Sequence, residues 1–466
     1  MAAENSLGPK SLTNEIRYDR KDELAKGFFK DVGQAFKEMR RGLNDVRSAS
    51  FHPNDLVLAC GLFHGGVVFL RGSSHTTSFE NWDIEPKHYP YERTILFIQW
   101  NVDGTKVAAG SDDGTVIVFC YPVDGRKVFR RNGRSNFPII VWNPFNRNML
   151  ASYNNAVDTT QVLIVNSATE KPFTMKSKTY CETVAWISHN QLASGYHDGT
   201  VEIHEIGSHN RQMKSQVFQK IRHDLGDDGR DRTIFSPFEF PTLHGQTQSA
   251  VLSIAFTRNE ELDIFASGGS DRRVKIWSLG SNDPVRALEL DSNCTFLVWS
   301  SDINDEATRK TFIACGSARG SLVIWYPFEH ENQTQNLSGH AAQIHQLLFS
   351  PDGRYLASTD YFKKLIIWCT KSWKSIYILA PSEFMYPYMM TWDAASCKLA
   401  ISERTGKKQF KVIEYVVAEN CCAGCKKTFQ NLKLCARCNS ILYCSKECQR
   451  SHWPQHKLVC NKNEKF

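Results

Sequence analysis

A chain of 466 residues that is 41% hydrophobic, 23% charged and 12% aromatic has room for several domains and is too apolar to be disordered throughout. It has no basic start leading into an apolar core and a cleavage site, and no apolar run of about 18 residues that could span a bilayer, so a soluble intracellular protein without a membrane partner is expected. The net charge of +7 is mild, and of the 15 cysteines seven are scattered over the first 400 residues while eight crowd into the last 46. Scattered cysteines without a secretory signal read as reduced and buried, and a dense paired cluster reads as metal-binding.

Residues 1–47 form an N-terminal segment. Within it, over 19–44, Leu24, Phe28, Val32, Phe36, Met39 and Leu43 recur at steps of three or four with charges between them. That spacing predicts an amphipathic helix. Its apolar stripe must be covered, either by the rim or closing element of the domain that follows or by a groove on a partner.

From residue 48 to 416 a unit recurs: an apolar strand ending in an aromatic, a turn, a second strand with Ala-Ser-Gly-like residues, a tight turn and a third strand. The aromatics Phe51, Trp100, Trp142, Trp186, Phe256, Trp299, Phe349 and Trp392 mark it, at intervals of 49, 42, 44, 70, 43, 50 and 43. The runs Ala109-Gly110-Ser111-Asp112-Asp113-Gly114-Thr115, Ala193-Ser194-Gly195-Tyr196-His197-Asp198-Gly199 and Ala266-Ser267-Gly268-Gly269-Ser270-Asp271-Arg272 repeat one another. A turn Asp can close a tight turn with its own side chain, and alternate apolar residues can face neighbouring sheets.

These runs resemble WD40 repeats. The resemblance implies a mainly β fold, a propeller of eight blades by the number of marks or seven by the habit of the family. Single blades cannot bury both faces, so a closed ring is required. The pattern departs from the family at the turn Asp, which is replaced by Arg319 in the sixth repeat and Phe362 in the seventh, and at the third-strand Trp, replaced elsewhere by Phe119 or His204. Only His340, after Gly339, matches the family's Gly-His pair. The aromatics, the turn acids and His340 are read as scaffold. The interval of 70 contains a charged stretch, His223 to Arg232, expected as a solvated loop.

The segment 421–460, followed by a short tail at 461–466, carries the strongest signal. It reads Cys422-x2-Cys425, Cys435-x2-Cys438, Cys444-x3-Cys448 and His456-x3-Cys460. Four pairs make two tetrahedral sites for thiolate and imidazole, a donor set that suits zinc. A two-residue spacer forms a tight knuckle; a three-residue spacer separates ligands by one helical turn and places the last two pairs on helices. Filled coordination makes both ions structural, and no catalytic residue is assigned here or elsewhere.

This order, with Tyr443, Gln449 and Trp453 around the later pairs, resembles the MYND zinc-finger family. The resemblance implies a cross-braced module with two zinc ions. Cys422, Cys425, Cys444 and Cys448 would hold one ion, and Cys435, Cys438, His456 and Cys460 the other. Spacing alone equally allows sequential pairing. Cys421 is a spare thiol beside a ligand, and His452 lies one turn before His456 without a vacant position to fill. The family binds short proline-containing peptides, which implies a groove at Gln449 and Trp453. The plainer role for Trp453 is to plug the small core.

Seven basic residues against one acid give the segment a charge of +6, which seven thiolates and two zinc ions reduce to about +3. Nucleic-acid contact through Lys426, Lys427 and Lys433 is therefore a secondary reading. The expected function is a non-catalytic adaptor: the ring docks a protein partner and the finger clamps a peptide. Resemblance to MYND-bearing proteins of chromatin, transcription and RNA handling implies the nucleus, with the cytoplasm as the alternative. A ubiquitin ligase with a substrate-receptor ring is the rival class, because cross-braced zinc also builds RING domains.

Overall fold

Strand follows strand through most of the computed structural model. It describes residues 27–31, 46–63, 65–72, 82–89, 93–122, 125–129, 139–153, 161–169, 172–177, 179–209, 212–223, 250–256, 263–300, 311–329, 333–379, 388–393, 398–403, 410–417, 433–434, 442–443 and 445–456. By its contacts the chain divides into two compact units. Lys30–Glu414 holds the ring, and Met1–Phe29 with Tyr415–Phe466 holds the finger.

Among the described residues the ring consists of eight four-stranded sheets, which settles the blade number at eight. In blades 1 to 7 four consecutive strands pair in sequence order. Blade 1, for example, takes Val46–Phe51, Val57–Leu62, Val67–Arg71 and Asp83–Tyr89. Blade 8 takes Tyr388–Trp392, Lys398–Glu403 and Phe410–Val417, and its outermost strand is Gly27–Asp31. The helix expected over 19–44 is corrected at these five residues, which form a strand; the remainder of that stretch lies outside the described residues. A chain end completing the last sheet leaves no blade short of a partner strand, and this need outweighs the local four-residue period.

Among the described residues, burial is greatest in the middle strands of the blades and falls toward the outer ones. Second strands such as Tyr355–Asp360 and Met149–Tyr153 are buried along their whole length, whereas the outer strands Pro284–Glu289 and Thr334–Leu337 are largely exposed. Apolar clusters lie at the junctions between blades. One joins Val57, Phe69, Ile95 and Trp100 of blades 1 and 2; another joins Ala193, Val201, Val251 and Phe265 of blades 4 and 5.

The marker aromatics act at these junctions. The indole N–H of Trp100 donates to the Ser50 carbonyl of the preceding blade at 2.9 Å, Trp142 to Gln99 at 3.0 Å and Trp186 to Val141 at 3.0 Å. Trp299 donates to Ala255 at 2.9 Å and Trp392 to Leu348 at 3.2 Å. Each acceptor is the residue just before the previous blade's own marker. Where the marker is Phe51, Phe256 or Phe349 no such donor exists. At the first of these junctions, which closes the ring, the Phe51 N–H donates to Thr391 Oγ1 instead at 3.1 Å.

The tight turns after the second strands follow the expected side-chain closure. Asp113, Asp198 and Asp271 each accept from the N–H two residues on, at 2.9, 3.0 and 3.0 Å. The next residue is left-handed in each, Gly114 and Gly199 at φ 82° and 79°, but Arg272 at φ 65°.

Removing the indole donor alone should be measurable. Trp142→Phe keeps an aromatic of the kind blades 1, 5 and 7 already tolerate but strands the Gln99 carbonyl, for a loss of roughly 1–3 kcal/mol. Trp142→Ala also opens a cavity and should cost roughly 3–5 kcal/mol. Urea denaturation of both variants checks this; no loss in Trp142→Phe beside a full loss in Trp142→Ala would mean that packing, not the hydrogen bond, carries the junction.

Candidate functional site

Two constellations in the ring bring serine, histidine and an acid together. In blade 5, Ser267 Oγ lies 2.8 Å from His223 Nδ1, and His223 Nε2 lies 3.1 Å from Asp271 Oδ1. The Trp277 indole donates to the same Ser267 hydroxyl at 2.7 Å. In blade 7, Ser358 Oγ lies 2.7 Å from His340 Nε2, Asp360 Oδ2 lies 3.0 Å from His340 Nδ1, and Trp368 donates to Ser358 at 2.8 Å. A carboxylate can only accept, so the imidazole proton sits on Nε2 in blade 5 and on Nδ1 in blade 7. The two rings are turned over relative to each other.

These residue types could serve acyl transfer, but each hydroxyl is buried and already engaged by both indole and imidazole. They tie the outer strand of one blade to the turn of the next. Two expectations change here. His223 is fully buried and belongs to this tie, so it is not part of a solvated loop; residues 224–232 lie outside the described residues. The acid absent from position 362 in the seventh repeat is supplied two residues earlier by Asp360, whose Oδ1 also accepts from the N–H groups of Phe362 and Lys364, both at 3.0 Å.

Burial opposes ionisation of Asp271, but the hydrogen bond from His223, the Arg273 N–H and the Lys275 ammonium together hold its carboxyl below the usual range. Lys275 is itself buried, 3.7 Å from Asp271, and donates to the His223 carbonyl. The thiols of Cys60, Cys294 and Cys315 are pushed far upward by burial and stay protonated. The described cysteines form no disulfides.

In the finger, Lys433–Leu434 pairs antiparallel with Leu442–Tyr443, and the Tyr443 side chain is buried. Helix α1, Lys446–His456, follows. Ser445 stands at its N-cap, accepting from the Cys448 N–H at 3.2 Å, with Glu447 in the first turn. Both x3 pairs were expected on helices, and this one helix carries Cys448 and His456, with Cys444 just before it. Gln449 and Trp453 lie one turn apart on it, each partly exposed. Cys422, Cys425, Cys435, Cys438, Cys444 and Cys460 lie outside the described residues, so the structure brings together Cys448, Gln449, Trp453 and His456 as positions on one helix. A thiolate and an imidazole spaced along one short helix, beside a clasp too small for its own core, fit the donor chemistry of zinc.

Residues 422–460 match the family described as the MYND finger, and residues 86–120, 239–278 and 331–368 match the WD domain, G-beta repeat. Protein FIZZY-RELATED 1 of Arabidopsis thaliana is 23% identical over 202 residues, which cover 40% of this chain and 41% of that protein. Protein HIRA of Dictyostelium discoideum is 30% identical over 129 residues, 23% of this chain and 11% of that protein. The matched region is thus less than half the length of either relative. The crystal structure of the C-terminal WD40 domain of Sif2 shares the fold, with a TM-score of 0.59 at 13% identity over 79% of this chain and 95% of that one. A ring of repeats and a finger, types of module that act by binding proteins, define the class. The chain is a WD40-repeat β-propeller protein with eight blades and a MYND finger at residues 422–460, and the finger implies bound zinc. No described helix is long and apolar enough to cross a membrane.

The depressed Asp271 carboxyl has a consequence for pH. Its contribution is complete above the unfolded carboxylate pKa of about 3.9 and is lost as pH falls through the lower folded value. Asp271→Asn should cost roughly 1–3 kcal/mol at neutral pH, because Lys275 and His223 lose an anionic acceptor, and should flatten the fall in stability below about pH 4. Urea midpoints across that range check both; an unchanged slope would remove Asp271 from the account.

Proposed function

We propose that the protein is a non-catalytic adaptor whose ring docks a protein partner and whose finger binds a short proline-containing peptide. One observation carries the reading: helix α1 holds Gln449 and Trp453 one turn apart and partly exposed, on the same helix as Cys448 and His456. An indole face can pack on the ring of a proline in an extended, preorganised peptide while the neighbouring amide bonds its backbone. Two zinc ions fix that helix. Cys422, Cys425, Cys444 and Cys448 hold one; Cys435, Cys438, His456 and Cys460 hold the other. Zinc bound this way supplies folding energy, with no open position for a reacting water.

The ring suits docking because its buried Ser–His–Asp ties are closed, which leaves it surfaces to present. Support for assembly of a nuclear complex in transcription, chromatin or RNA handling rests on the resemblance of the finger alone.

Two full-length variants test the finger. Cys425→Ser should release zinc and expose the segment beyond residue 420 to protease while the ring melts as before. Trp453→Ala should keep two zinc ions per chain, by elemental analysis, yet lose a proline-containing peptide by at least about tenfold in affinity. A Trp453→Ala protein that binds the peptide and its partners unchanged would eliminate the clamp.

A further inference from the structure

Blade 6 departs from blades 5 and 7 at three of the four positions of the tie. Cys315 stands where they have Ser267 and Ser358, and Arg319 stands in the turn where blade 5 has Asp271. Leu290 takes the place of His223: its N–H donates to the Arg272 carbonyl as that of His223 donates to Gly199, both at 2.8 Å. Only the Trp remains, and the fully buried Trp325 Nε1 has no hydrogen-bond partner. The turn is held from outside instead. Ser292 Oγ accepts from the Arg319 N–H at 3.1 Å, and the Asp291 carboxylate accepts from the hydroxyls of Ser292 and Ser321.

Beside this turn lies a groove of about 480 Å³ between blades 5 and 6. Leu288 and Val323 line it, with Thr334 and Asn336 from the exposed outer strand of blade 6. Its carboxylates are engaged: Glu289 lies 3.5 Å from Arg272, and Asp291 holds its two hydroxyls. Arg319, exposed at the mouth, has no carboxylate partner among the described residues.

We propose that this groove is the docking site for an extended acidic segment of a protein partner. The segment sets a carboxylate on the Arg319 guanidinium and an aliphatic side chain between Leu288 and Val323. An extended chain presents alternate side chains to one face, so an acid and an aliphatic residue two apart engage both features together, while Thr334 and Asn336 bond its backbone. The volume falls in the range of sites that hold small ligands or a few side chains. This inference rests on the reading of the ring as a docking platform and specifies where on the ring, and for what chemistry.

The test uses the full-length protein and three fluorescein-labelled peptides of equal length, alternating Glu with Leu, Lys with Leu, and Glu with Ser. In fluorescence anisotropy the Glu–Leu peptide should bind best and weaken as salt is raised. Arg319→Glu should reduce its affinity by about tenfold or more, as should Asn336→Trp, which fills the groove without touching the turn. Arg354→Glu, on an exposed turn of blade 7, should change nothing; melting curves confirm that each variant is folded. No binding of the Glu–Leu peptide, preference for the Lys–Leu peptide, or equal binding by Arg319→Glu and Asn336→Trp overturns the groove. Partners that the intact chain captures and both variants still capture would leave the docking reading standing without this site.

Discussion

The ring depends on one repeated interaction: an indole N–H at the end of an inner strand reaches the main-chain carbonyl just before the marker aromatic of the preceding blade. A propeller has no single core. Each sheet buries its faces only against its two neighbours, so stability is a sum over junctions, and one loose junction opens the whole circle. An apolar contact fixes the distance between two sheets but not their register. The donated hydrogen bond fixes register, because a buried carbonyl left unmatched costs about 1–3 kcal/mol. Five of the junctions carry this bond, and one of the others, the ring closure, substitutes Thr391 Oγ1 on the Phe51 N–H.

The Ser–His–Asp–Trp ties repeat the same principle further from the axis, and their variation shows what is required. Blades 5 and 7 reach one end by different routes, with the imidazole turned over and the acid moved from position 271 to position 360. What both conserve physically is a chain of buried donors and acceptors with no member left over, which is the condition for a buried polar network to stabilise. Blade 6 meets it by the opposite means, with Leu290 and Cys315 making the site apolar, at the expense of one orphaned indole N–H on Trp325. Losing the inward tie changes the surface as much as the interior, because the turn must then be held by Asp291, Ser292 and Ser321 at the rim.

Much of the ring could be read from the sequence because the aromatics and the turn acids act locally, within one strand or one four-residue turn. What escaped reading is non-local. His223 follows Arg222, not Gly, and is itself followed by a run of charges; its role is set by Ser267 and Asp271, 44 and 48 residues away. Asp360 was hidden because a carboxylate can reach the same imidazole from a different step of the turn. Gly27–Asp31 reads Gly-Phe-Phe-Lys-Asp, which does not alternate, so its strand comes from pairing along the outer edge of blade 8 and not from local pattern. In the finger, the three-residue spacers predict helices for Cys444 with Cys448 and for His456 with Cys460; the described helix carries Cys448 and His456, one member of each pair, and Cys444 and Cys460 lie outside the described residues.

Cysteine does two different jobs in this chain, and environment separates them. Metal binding needs the thiolate, so a site must be able to shed the proton. In the ring, Cys60, Cys294 and Cys315 sit in apolar strands where burial drives the thiol far from ionisation and no cation stands by to reverse it. Such groups behave as small hydrophobes and do not compete for zinc. The segment 421–460 has the contrary character: seven basic residues against one acid, a field that favours thiolates before any metal arrives. On the proposed ligand set, the basic excess that first suggested nucleic acid has a use within the module, lowering the cost of gathering anionic sulfurs around zinc. In the clamp proposed above, the lysines and arginines of the finger serve its folding, and the two side chains one turn apart on helix α1 serve its partner.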